Sequence, residues 1–173
     1  MLWDWYYRFL DWIEDEPEGR KLFVSIAKYT GTIFLYSVAV VLVVETLQYL
    51  YHEPVSLPRN VDENDLASIW FPLTLAGDVL FEELIFRLPL ALAIKRWGVS
   101  WKLWSAVVIS SVLFGLFHGS PWCILIQGMH GSLLALAFVK CGGLSHNWKK
   151  ALFASFAVHL CYNSFLFSLV GIP

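Results

Sequence analysis

The chain has 173 residues, 58% of them apolar, with a mean hydropathy of +0.61 and a formal net charge of −2. Soluble domains run at roughly 45–50% apolar, so this composition describes an integral membrane protein of one compact domain, and the lack of any basic patch excludes nucleic acid as a partner. The three cysteines, Cys123, Cys141 and Cys161, stand apart without C-x-x-C spacing. They provide no disulfide or zinc framework, and Cys123 and Cys161 read as small apolar core residues.

The first segment carries Asp4, Asp11 and Glu14 where a secretory signal would be basic. Leu2 to Ile13 instead reads as an amphipathic helix. Asp4, Arg8, Asp11 and Asp15 share one face, and Trp3, Trp5, Tyr6, Phe9, Trp12 and Ile13 cover the rest. Two readings stand: a helix at the membrane interface, where aromatic rings favour the headgroup zone, or an aromatic cap packed on a bundle. Residues 1–28 then form an N-terminal helix and linker, and residues 29–173 the transmembrane domain.

A spanning helix needs about 20 mostly apolar residues. Five stretches qualify: Tyr29–Tyr51, Ile69–Ile94, Trp101–Phe117, Trp122–Val139 and Ala151–Val170. The third and fourth are short. His52–Asp65, with Pro54 and Pro58, is a loop. Ser100 suits the N-cap of the third span, Gly119-Ser120-Pro121 a tight turn, and Gly142, Gly143, Ser145 and Asn147 the last loop. The runs are continuous rather than alternating, which excludes a β-barrel. The expected fold is all-α, a polytopic membrane bundle of about five helices. Arg87 aside, ten basic residues fall on one side of such a bundle and one, Arg59, on the other. The positive side faces the cytoplasm, so the N-terminus is expected inside and the C-terminus outside.

Charge inside the second span is the informative anomaly. Glu82, Glu83 and Arg87 lie there, with Asp78 one turn earlier. Each costs about 2.5–3.5 kcal/mol at a helix centre on insertion scales. Glu83 and Arg87, four apart, share a helix face and can pair. Glu82 points about 100° away and is left as a carboxylate free to act as a general base. The bland reading is a set of ion-paired acids that only locks helix packing.

The other polar residues at depth each carry two readings. His118, four after Phe114, either shares the proton of a catalytic water or hydrogen-bonds the following turn. His159 and Asn163, four apart, either present two donors to one oxyanion or bond between helices. His130, between Gly128 and Gly131, reads as a packing or supporting residue. Glu45 and Gln48 fall near the outer interface, and His52 and His146 in loops. At about 1.5 Å per residue, Glu82 and His159 fall near mid-membrane and His118 nearer the outer side. A common site therefore needs helix tilt, an offset third span or a water-filled cavity.

Glu82-Glu83-Leu84-Ile85-Phe86-Arg87 matches E-E-x-x-x-R, Phe114 to His118 matches F-x-x-x-H, and His159 to Asn163 matches H-x-x-x-N. In this order on successive apolar segments, residues 79–165 resemble the CPBP (ABI) family of CAAX proteases and bacteriocin-processing enzymes. The sequence departs from many members at Leu88-Pro89, where they have Gly; Pro89 is expected to kink its helix. The resemblance implies an intramembrane peptidase in which Glu82, helped by His118, activates water. It gives His159 and Asn163 to the oxyanion, with Glu83 and Arg87 in support. The implied partner is a membrane-associated peptide, lipidated or bacteriocin-like, and the implied setting a bacterial cytoplasmic membrane. No cofactor is expected. If a metal were bound, Glu82, His118 and His159 would form the His₂Glu set that suits zinc.

Two other function classes compete. One is a non-enzymatic immunity or binding protein of the same fold. The other is a small proton-coupled carrier, since buried acids and histidines also mark ion paths. A carrier usually shows paired repeats, and none is visible. Intact motifs favour the peptidase.

Overall fold

The computed structural model of the chain describes residues 2–51, 71–119 and 123–170. Over these residues the chain is helical, with no strand: α1 (Leu2–Glu14), α2 (Arg20–Tyr51), α3 (Phe71–Trp97), α4 (Trp101–Phe117), α5 (Cys123–Phe138) and α6 (Trp148–Val170). After α5 the backbone turns through Val139–Gly143, leaving helical geometry at Cys141 and at Gly142, whose φ is +138°. The expected loop over His52–Asp65 with Arg59, the Ser120-Pro121 part of the tight turn, and the side chains of Glu45 and Gln48 lie outside the described residues.

Among the described residues, three segments are long and apolar enough to cross a membrane: Arg20–Val44, Cys123–Gly143 and Trp148–Ser168. α4 is apolar but has only 17 residues. α3 has the length, 27 residues, and fails on composition because it carries the charges of the second span. The packing inverts that of a water-soluble domain. Leu42, Leu88 and Ile109 are about 60% exposed, while Glu83 and Arg87 are buried to 0% and 1%. Apolar side chains face lipid and charge faces the bundle interior, as polar groups must inside a bilayer. The chain is a helical membrane bundle.

α2 begins at Arg20, well before the Tyr29 where the apolar run starts. The Glu18 and Gly19 carbonyls accept the Lys21 and Leu22 amides at 2.9 and 3.1 Å, opening the helix. Arg20, Lys21 and Lys28 then carry it past the apolar zone, where a hydropathy count stops but backbone hydrogen bonding does not. α1 packs on the bundle through one side, the cap role of its two expected readings. Ile13 is 1% exposed and joins the core of Leu90, Ile94, Leu103 and Phe138, and Phe9 packs on Trp104 with ring centroids 5.4 Å apart. Trp5 and Tyr7 on its other side are exposed. Lys140 clamps the end of α1, donating to the Trp12 carbonyl and, at 2.7 Å, to that of Asp15.

The helices that carry the site are held by small residues and by hydrogen bonds between helices. A Cβ on Gly115 of α4 would come within 2.6 Å of the Ile124 Cα, and one on Gly131 of α5 within 3.1 Å of the Phe114 ring. α4 and α5 thus touch backbone to backbone, as the small residues around His130 suggest. The expected kink at Pro89 does not divide α3, which is one helix from Phe71 to Trp97. In the turn that the missing Pro89 amide weakens, the Ser110 hydroxyl of α4 donates to the Phe86 carbonyl at 3.1 Å. Ser100 has the extended backbone of an N-cap, but its side chain makes no capping bond.

Candidate active site

The i, i+4 spacing within α3 works as the sequence requires. Arg87 Nε donates to Glu83 Oε2 at 2.9 Å and Nη2 to Oε1 at 3.3 Å. Nη1 reaches the Gly131 carbonyl of α5 at 3.5 Å. A bare guanidinium at this depth would be costly; this one meets a carboxylate in a two-pronged contact, the geometry in which Arg–carboxylate pairs are strongest.

Glu83 has a second partner that helical spacing alone does not reveal. His159 on α6 places Nδ1 3.1 Å from Glu83 Oε1. A carboxylate only accepts, so Nδ1–H is the donor and the tautomer is set. The other ring nitrogen, Nε2, then points to Glu82 Oε2 at 3.8 Å. The result is a chain of groups, Gly131 carbonyl, Arg87, Glu83, His159 and Glu82, running from α5 through α3 to α6 and back. Exposure divides it. Glu83 and Arg87 are sealed in, His159 is 5% exposed, and the Glu82 side chain is 20% exposed. The carboxylate left over from ion pairing is the one that water or substrate can reach.

His118 comes to this cluster from the end of α4. Its Nδ1 lies 2.8 Å from the Phe114 carbonyl, which again can only accept. Nδ1 therefore carries hydrogen, and the Nε2 lone pair is free in the neutral ring. The Phe114 ring is 4.8 Å from the His118 ring and 5.7 Å from the His159 ring. This buried phenyl takes up the depth offset that the sequence count exposes between His118 and His159. Glu82 is within electrostatic range of both histidines, of Glu83 and of Asp78. Asp78 itself is exposed.

Asn163 sits one turn beyond His159 on α6 and is half-buried. Among the described residues its amide makes no hydrogen bond. His130 stands outside the cluster, in a polar network of its own. Its Nε2 lies 2.9 Å from Ser37 Oγ and its Nδ1 3.1 Å from Gln127 Oε1, with Ser37 Oγ 2.9 Å from the Tyr162 hydroxyl. This satisfied set ties α2, α5 and α6 together, the packing role read for His130. Among the described residues, no group of three or more His, Cys, Asp or Glu side chains converges closely enough to hold a metal ion.

Sequence reasoning missed two parts. The Glu83–His159 bond joins residues 76 positions apart, and no local spacing encodes it. The Phe114 ring was legible only as a motif position, not as the spacer between two imidazoles.

A family model described as Rce1-like, type II CAAX prenyl endopeptidase, matches residues 64–165, more than half of the chain. No curated protein matches the chain. No solved structure matches it either.

Proposed function

The chain belongs to the Rce1-like family of type II CAAX prenyl endopeptidases, and from that premise we propose that Glu82, His118, His159 and Asn163 form the active site of an intramembrane peptidase that hydrolyses by activated water. CAAX-type intramembrane proteolysis is the activity of the family; the residue roles and the substrate are our reading. The substrate is a membrane-associated peptide tail, lipidated or bacteriocin-like, entering from a bacterial cytoplasmic membrane. The C-terminus faces outward and the basic end of the bundle inward, as the ten-to-one distribution of basic residues favours.

In this mechanism Glu82 takes a proton from a water that His118 Nε2 also holds. The water oxygen bonds to the scissile carbonyl carbon. The oxyanion accepts hydrogen bonds from His159 Nε2–H and the Asn163 amide. His159 donates from Nε2 while Nδ1 donates to the Glu83 carboxylate at 3.1 Å, which requires the imidazolium. Arg87 in turn holds Glu83. When the intermediate collapses, the carbon–nitrogen bond breaks and the proton on Glu82 passes to the leaving amine. Preorganised donors aimed at developing charge typically contribute about 10²–10³ in rate, and a positioned base about 10²–10⁴.

The observation that carries this reading is the Arg87–Glu83–His159 chain ending at a partly open Glu82. A metal-free mechanism is part of the proposal: Glu83, the carboxylate nearest His159, is already committed to a guanidinium, and that cation repels a dication. The test compares membrane peptides from cells carrying the wild-type chain and Glu82→Gln. A peptide trimmed only in the wild-type cells is expected. Identical peptide sets in cells with matched protein levels would refute peptidase function and leave the binding-protein reading.

A further inference from the structure

A second feature lies at the opposite end of the bundle from His118 and takes no part in the peptidase reading. Where α1 turns into α2, a cavity of about 480 Å³ is lined by Arg20, Lys21, Lys28 and Lys140, with Asp15 as its one carboxylate. Arg20, Lys21 and Lys28 are exposed and, among the described residues, none forms a salt bridge. Positions 21 and 28 are two turns apart on α2, so their side chains extend over one stretch of its surface. Lys140 closes the cavity from the turn after α5. It is 7% exposed and spends its hydrogen bonds on backbone carbonyls of Trp12 and Asp15, so no carboxylate bonds its charge. Four cations converge on one concavity, against one acid.

The depth of this cavity identifies its ligand. It opens at the first residues of the spanning segment Arg20–Val44. Phe23, two positions after Lys21, is 64% exposed and Val24, which lines the cavity, is 45% exposed. Trp12 lines the other wall and is 43% exposed, beside Trp5 and Tyr7 on the outward face of α1. Exposed aromatic rings mark the headgroup level, and a basic recess between helices at that level suits an anionic headgroup. We propose that this cavity binds the phosphate of an anionic phospholipid, whose acyl chains lie along Phe23 and Val24. The bound phosphate bridges α2 to Lys140 and so reinforces the clamp on α1. The proposal requires that the bundle span a bilayer and is independent of the chemistry at Glu82.

The test is a native mass spectrometry titration of the full chain in a non-ionic detergent, with phosphatidylglycerol and phosphatidylcholine of equal chain length. Phosphatidylglycerol is expected to bind with at least tenfold higher affinity. The double substitution Lys21→Gln, Lys28→Gln is expected to weaken it about 25-fold, at about fivefold for each surface lysine, with phosphatidylcholine unaffected. Asp15→Asn, which removes the one opposing charge and keeps the carbonyl that Lys140 uses, is expected to tighten it. That variant decides the matter if the double variant does not fold. Equal affinity for the two lipids, or unchanged phosphatidylglycerol binding in both variants, would overturn the site. Displacement of the lipid by equimolar inorganic phosphate would overturn the lipid assignment and make it an ion site.

Discussion

Replacing Arg87 with Ala separates support from chemistry. The side chain is 1% exposed and holds a carboxylate that is 0% exposed. Its removal deletes contacts at 2.9 and 3.3 Å to Glu83 and leaves His159 as the sole partner of that charge. Breaking a buried pair by removing one member costs about 3–5 kcal/mol. For a chain of this size about 1 kcal/mol moves Tm by about 2–4 °C, so Arg87→Ala is expected to melt about 6–20 °C below wild type in the same detergent. Peptidase activity should fall as well, since His159 loses its alignment. The double variant Glu83→Gln, Arg87→Met removes both charges while keeping the volume. It should recover most of the lost stability but not the activity, because His159 no longer faces a carboxylate. The assay pairs differential scanning fluorimetry with peptide cleavage on the same preparations. An unchanged Tm for Arg87→Ala, or a double variant less stable than the single one, would refute the reasoning.

Three further outcomes are expected. Gly115→Ala forces a Cβ to within 2.6 Å of the Ile124 backbone, where nothing flexible can yield, so α4 and α5 should separate; reduced yield and a lower Tm in fluorimetry would show it, and wild-type stability would contradict it. Burial raises the Glu16 carboxyl, but hydrogen bonds from Lys150, at 2.6 Å, and Ser145 outweigh it and hold the pKa below the ordinary carboxylate value. The stability this contributes is complete above the unfolded carboxylate range and is lost as pH falls through the lowered folded value; the protection factors of α1 amides, corrected for intrinsic exchange, should therefore fall on acidification, and Glu16→Gln should show lower protection than wild type at neutral pH only. Strong chelation should leave the purified peptidase active, whereas activity lost to chelator and restored by zinc would make Glu82, His118 and His159 ligands.

The sequence made legible what helical spacing and composition encode. Glu83–Arg87 is a pair at i, i+4, readable from one helix, whereas His118, expected to bond the following turn, bonds the Phe114 carbonyl one turn before it. The apolar runs located the long helices of the bundle, because lipid-facing surface needs apolar residues whatever the topology, and among the described residues three of the five expected spans are long and apolar enough to cross. Contacts between helices were not readable. Nothing local tells His159 that its Nδ1 meets Glu83, or Lys140 that it closes on the end of α1. For the same reason the sequence leaves His159 with two readings, interhelical bonding or oxyanion donor: it makes an interhelical bond through one nitrogen, and only the second remains for chemistry. The start of α2 was missed because its first turns are basic. Hydropathy reports where the bilayer ends, while the helix ends where its hydrogen bonds do.

The central claim is that Glu82 is the base and that its reaction is peptide hydrolysis. The direct measurement is cleavage of a prenylated CAAX-type reporter peptide by the purified chain in lipid bilayers, comparing wild type with Glu82→Gln at equal folded concentration. The substitution keeps size and one acceptor at a side chain that is 20% exposed, so Tm should stay near that of wild type. Cleavage by the wild-type chain and a loss of about 10²–10⁴-fold in the variant is the predicted result. Cleavage by Glu82→Gln at the wild-type rate would contradict the account.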